Sequence, residues 1–103
     1  MFTHCVFFWL KDGATPADRA KFEEGLRSLA TISAALDATF GVPATTDRPV
    51  VERSYSYGLM VKFKDLAAHD AYQIHAVHKR FLENCSPLWT RVQVFDFVDP
   101  PAR

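Results

Sequence analysis

Apolar and polar positions recur along this chain with two different periods, and each change of period marks a new element. From Phe2 to Leu10 the run is short, aromatic and β-branched and stops at Lys11-Asp12-Gly13, which predicts a strand and a turn. Thr15 then offers an N-cap and Pro16 suits the first helical position. Asp18, three residues after the cap, stands near the positive end of the expected helix. Phe22, Leu26, Leu29, Ala30 and Ser33 follow at steps of three and four, with Lys21, Glu23, Glu24 and Arg27 largely on the other side. That spacing predicts a helix to about Ile32.

The period of two returns at Leu36 to Val42, where Leu36, Ala38, Phe40 and Val42 alternate with Asp37, Thr39 and Gly41 before Pro43 closes the strand. Residues 44–53 are rich in Thr, Asp, Arg and Pro and show no period, as expected of a long loop. Tyr55 to Phe63 resumes strand character. Asp65 caps a second helix with inward candidates Leu66, Ala68, His69, Tyr72, His75 and Val77, and Phe81 and Leu82 fall in a second helical piece before Pro87. Thr90 to Val98 alternates Val92, Val94, Asp96 and Val98 against Arg91, Gln93, Phe95 and Phe97 until Pro100 and Pro101 stop it. The order β-α-β-β-α-β predicts an α+β, ferredoxin-like fold: a four-stranded antiparallel sheet with helices on one side. One domain over residues 1–103 accounts for the whole pattern.

The first strand is apolar on both faces. His4, Val6, Phe8 and Leu10 point one way, while Cys5, Phe7 and Trp9 point the other. If the helices cover the first set, Phe95 and Phe97 join Phe7 and Trp9 on the second. Four such side chains left in water forgo roughly 6 to 12 kcal/mol of gross burial, at ~1.5 to 3 kcal/mol each. Pairing of two sheets face to face, a homodimer, is therefore expected.

Composition narrows the function. The chain is 49% hydrophobic and 23% charged, outside the range of disordered chains, so it should fold without a metal or disulfide. Twelve basic residues balance twelve acidic ones and are dispersed, which argues against a nucleic-acid partner. Cys5 and Cys85 lack metal or redox spacing and read as reduced thiols. The run from Cys5 to Leu10 is too short to span a bilayer, and no basic region precedes it, so no membrane association and a cytoplasmic location are expected.

Four segments carry a joint resemblance: Thr3-His4-Cys5-Val6-Phe7-Phe8, Tyr57-Gly58-Leu59-Met60-Val61-Lys62-Phe63, the helix from Ala71 to Phe81 with His75 and His78, and Phe95-Asp96-Phe97. Together they resemble the stress-responsive A/B barrel (Dabb) family over nearly the whole chain. The resemblance implies a dimeric α/β barrel made from two ferredoxin-like sheets. It also implies a choice among stress-associated proteins of unassigned activity, polyketide cyclases that need no cofactor, and related barrels that include cofactor-free monooxygenases and isomerases.

Tyr72, His75 and His78 follow at steps of three and so spread over an arc of about 120° on one side of a helix. His4 and Asp96 belong to the helix-facing side of the sheet, so His4, Tyr72, His78 and Asp96 are the candidates to converge on one cavity. In the cyclases that the chain resembles, positions matching His4 and His78 are the working histidines, with Tyr72 and Asp96 matching supporting groups. That assignment makes His78 the general base, while His4 and Tyr72 polarise or orient a carbonyl. Leu59, Val61, Phe81 and Trp89 are the expected apolar lining for a small ligand, with His75 beside them as a lining or helix-break residue. His69 is expected to be exposed. The pair His75 and His78 offers too few ligands for a metal, so neither a metal nor any other cofactor is expected.

Two positions depart from the family pattern. Ala76 stands where members often carry proline after the first helix histidine, which implies a softer helix break, and Leu26 stands where the cyclases carry tyrosine, which points away from a polyketide. The rival expectation is a non-catalytic stress-associated or ligand-binding dimer whose histidines are structural. A cofactor-free barrel monooxygenase is the third.

Overall fold

The computed structural model describes residues 1–102; Arg103, the last residue of the expected domain, lies outside the described residues. Strand β1 (Phe2–Leu10) leads through the turn at Gly13 into helix α1 (Pro16–Leu29). Strands β2 (Asp37–Gly41) and β3 (Tyr57–Phe63) follow, then helices α2 (Leu66–Gln73) and α3 (Ala76–Cys85), a short 3₁₀ turn (Ser86–Leu88) and strand β4 (Trp89–Val98). The strands form one antiparallel sheet in the order β2-β3-β1-β4. This is the ferredoxin-like order with β1 in the interior, and being interior is why β1 can be apolar throughout.

Helix α1 starts where the sequence predicts. Thr15 Oγ1 accepts the Asp18 N–H at 3.1 Å and Asp18 Oδ2 accepts the Thr15 N–H at 3.0 Å, a reciprocal pair that satisfies two backbone donors. The helix ends at Leu29, three residues short of the expected Ile32. That isoleucine is buried all the same, whereas Ala30 and Ser33 face outward. Phe22 stacks on Tyr57 with ring centroids 5.2 Å apart and meets Phe8 edge-on at 5.1 Å, tying α1 to the middle of the sheet. At Gly25 a Cβ would stand 2.6 Å from Cys85 Sγ and 3.0 Å from the Phe81 ring, so only glycine lets α1 approach α3 this closely.

Between α2 and α3 the chain breaks cleanly without proline. His75 has extended backbone (φ −65°, ψ 145°), and its Nδ1 accepts the Val77 N–H at 3.0 Å as the N-cap of α3. Where the family pattern sets the break with proline and a softer one was expected from Ala76, the histidine itself supplies the cap. Strand β3 begins at Tyr57 rather than Tyr55, since Tyr55 leaves the sheet edge to pack on the outer face. There its ring meets Phe7 at 4.9 Å, Trp9 Nε1 donates to Ser54 Oγ at 3.0 Å, and the Arg91 guanidinium lies 4.2 Å over the Trp9 ring. The outer face is thus half-covered at Phe7 and Trp9 and open at Phe95 and Phe97, which are 57% and 58% exposed.

Candidate functional site

The sheet register brings the expected residues together. His4 on β1 stands between Val61 of β3 and Asp96 of β4, and Val6 between Leu59 and Val94. Two rows of helix-facing side chains therefore cross three strands. Across from them, the break at His75 turns α3 so that His78 and Phe81 face these rows, while α2 brings Tyr72.

These residues enclose a cavity of about 150 Å³ whose wall includes His4, Leu59, Tyr72, His78, Phe81 and Trp89. All six are expected site residues. Val61 instead is fully buried beside His4 and does not reach the cavity. His75 is the helix-break residue and not a lining one: it is exposed and spends its ring nitrogen on the cap of α3, outside the cavity. Val92, Val94 and Leu82, which form the partly exposed lip, were not among the expected lining. Strand alternation places both valines on the Asp96 side and so carried the signal.

The polar groups divide into two sets. His4, 5% exposed, is satisfied: its Nδ1 lies 2.5 Å from the Asp96 carboxylate. Burial pushes this imidazole below its ordinary value, against the pull of Asp96. Asp96 stands behind His4 rather than in the cavity wall and is partly open to solvent.

Tyr72 and His78 are not satisfied. Tyr72 is fully buried and His78 is 8% exposed, their rings meet edge-on at 4.9 Å, and yet Tyr72 Oη and His78 Nδ1 have no hydrogen-bond partner. Among the described residues they are the two buried side-chain polar atoms in that condition. Burial drives the Tyr72 phenol well above the usual range. Burial, then the neighbouring His4 and His69, hold the His78 imidazole below its ordinary value. At neutral pH the cavity thus presents a protonated phenol and a neutral imidazole, a donor beside a base.

His69 was expected to be exposed and is not. Its side chain is 13% exposed, its ring stacks on Phe2 at 4.6 Å and meets His4 edge-on at 5.1 Å. Its Nδ1 lies 3.1 Å from Asp70 Oδ1, and its Nε2 lies 3.3 Å from the Gln73 side-chain nitrogen. One ligating atom from each of His4, His69 and Asp96 lies within 4.8 Å of the other two, an arrangement of the kind that holds a metal ion. The step of three that links Tyr72, His75 and His78 reaches His69 when taken one place back, so the sequence held a signal for it.

A second hollow of about 450 Å³ lies on the outer sheet face, walled by Phe7, Trp9, Tyr55, Arg91 and Phe95. Neither of the unpaired atoms belongs to it. No helix among the described residues is long and apolar enough to cross a membrane.

A family model described as Stress responsive A/B Barrel Domain (Dabb) matches residues 2–99. Among curated proteins nothing matches the chain. Among solved structures, a Dabb family protein with a ferredoxin-like fold from Mesorhizobium loti is 22% identical, with 97% of each chain covered and a TM-score of 0.79. A dimeric ferredoxin-like protein of unknown function from Thermobifida fusca is also 22% identical, covering 93% of this chain and 88% of its own, with a TM-score of 0.76. A further dimeric ferredoxin-like protein of unknown function, from Jannaschia sp. CCS1, is 23% identical over 95% of this chain and 98% of its own, with a TM-score of 0.76.

Proposed function

The chain belongs to the stress-responsive A/B barrel domain family, and on that premise we propose that it binds a small, mostly apolar carbonyl compound between sheet and α3 and moves a proton on it. The observation that carries this reading is the pair of unpartnered atoms, Tyr72 Oη and His78 Nδ1, in an apolar cavity. Leaving a polar group buried and unpaired costs about 1 to 3 kcal/mol. A fold that leaves two of them in one cavity is consistent with a ligand that completes both.

The chemistry follows from their protonation. His78 accepts a proton from the carbon next to the carbonyl, and the Tyr72 hydroxyl donates a hydrogen bond to the oxygen as enolate charge develops. His4, already paired with Asp96, fixes one wall and the local field. In this respect the structural reading of the histidines suits His4, and the catalytic one suits His78. Size limits the substrate: a cavity of 150 Å³ takes a body of about one benzene ring, well below the roughly 300 Å³ or more usual for drug-sized ligands. A ligand longer than one ring must extend over the lip at Val92, Val94 and Leu82.

The working unit in this reading is a homodimer joined through the outer sheet faces. Exposed Phe95 and Phe97 support it, as do the Thermobifida and Jannaschia relatives described as dimeric.

The test is proton exchange in heavy water, followed by NMR at the carbon beside the carbonyl, over a panel of small β-keto and phenolic compounds. Wild-type protein should exchange at least one of them, and His78→Gln should slow that exchange by about 10² to 10⁴-fold while keeping its fold. Neither binding nor exchange by the wild type across the panel would sink the proposal.

A further inference from the structure

The cluster His4, His69 and Asp96 has a composition that the acid–base reading does not require. Two imidazoles and a carboxylate come from three elements, β1, α2 and β4, and each brings a ligating atom within 4.8 Å of the others. We propose that these three side chains form a binding site for a divalent first-row transition ion such as zinc, cobalt or iron.

Ligand chemistry selects this class. Calcium and magnesium favour oxygen-only shells and copper(I) favours sulfur, whereas mixed imidazole and carboxylate donors suit zinc and its divalent neighbours. The cluster is looser than a loaded site, with separations of up to 4.8 Å. Ligand atoms ~2.0 to 2.1 Å from one ion, at right-angled to tetrahedral spacing, stand roughly 3 to 3.4 Å apart. His4 and Asp96 at 2.5 Å are slightly closer than that, so the ion takes the place of the proton between them, which leaves to solvent. His69 then swings inward by a side-chain rotation.

The surroundings are those of a metal histidine. Asp70 stands 3.1 Å from His69 Nδ1, where a carboxylate can accept that N–H and fix the tautomer that leaves Nε2 to bind. The Gln73 amide beside Nε2 is a side chain that can rotate away. Burial on the Phe2 and His4 side shields the ion, while the 38% exposed Asp96 side chain leaves an entry path. Three protein ligands leave coordination positions free, the arrangement of catalytic rather than structural sites. His4 belongs to both the cluster and the cavity wall, so an ion there stands beside the space that holds the unpaired Tyr72 and His78 atoms. Metal binding goes beyond the acid–base reading and is measured without substrate, so either can fail alone.

The test is a titration of chelator-stripped full-length protein with cobalt(II), read by its visible absorption, followed by displacement with zinc. Saturation at one ion per chain, with affinity lowered about tenfold or more in His69→Gln and in Asp96→Asn, is the expected result. His75→Asn, which removes an exposed imidazole and keeps a capping side chain, should bind as the wild type does. Absence of saturable binding overturns the proposal, as does binding that survives both ligand substitutions or disappears with His75→Asn. The wild type also reports without substitution: on zinc addition the side-chain nitrogen signals of His4 and His69 should shift. A shift confined to His75 overturns the proposal equally.

Discussion

Tyr72 shows how a single hydroxyl separates a functional from a structural role. Its ring packs against Phe63 at 5.0 Å and His78 at 4.9 Å, so the packing is made by carbon and would survive in phenylalanine. Tyr72→Phe removes only an oxygen that has no partner. The ligand-free protein should therefore become more stable by about 1 kcal/mol or more, read from urea unfolding, since the desolvation cost of the hydroxyl disappears. Enolate chemistry should weaken at the same time, and a fall in stability would show the hydroxyl to be structurally engaged. His78 gives a second prediction. Its folded-state pKa lies below the ordinary value near 6.5, so as pH falls the unfolded chain takes up the proton first. Stability contributed by the neutral ring is complete above about pH 6.5 and is lost as pH drops toward the folded-state value. With chelator present, the urea midpoint of the wild type should fall more between about pH 7.5 and pH 5.5 than that of His78→Gln. Equal slopes would mean that His78 is not held neutral by burial.

At the scale of elements, the break between α2 and α3 decides where His78 points. His75 is already extended at φ −65° and ψ 145°, the conformation a residue before proline prefers, and Ala76 opens α3 at the position where proline fits best. Ala76→Pro should accordingly stabilise the protein by about 0.4 to 1 kcal/mol through the unfolded chain, with the fold unchanged, as thermal unfolding can check. Loss of stability would mean that the break is less rigid than the cap suggests. This junction also marks what the sequence could and could not tell. Strand and helix periods, with the caps at Thr15 and Asp65, located every element to within a few residues, because those signals are local. The convergence of His4, Tyr72 and His78 was legible because alternation and the helical step assign faces. The lining roles given to His75 and Val61 failed because a face does not give depth: His75 lies outside on its own cap, and Val61 is fully buried beside His4. His69, an inward position by helical period, was not read as part of the site because its contacts are Phe2 and His4, brought to it by the sheet from the far end of the chain.

For the whole molecule, the decisive quantity is the apolar area that one chain leaves open. The inner sheet face is closed by α1, α2 and α3 except at the lip formed by Val92, Val94 and Leu82. The outer face carries Phe95 and Phe97, both more than half exposed, on the edge strand β4 beside Phe7. Loop residues 52–55 already cover Trp9 and part of Phe7, which shifts the expected contact from the centre of the sheet toward β4. Phe95→Glu combined with Phe97→Glu should therefore convert a dimer to a monomer at micromolar concentration, as sedimentation velocity would show. Burying two phenylalanines contributes roughly 3 to 6 kcal/mol per protomer, and burying two carboxylates in their place carries a desolvation cost besides. The inner cavity lies on the other side of the sheet, so ligand binding at Tyr72 and His78 should persist in the monomer. A double variant that stays dimeric would place the interface elsewhere, and a monomer that loses the cavity's ligand would tie the site to assembly through the sheet.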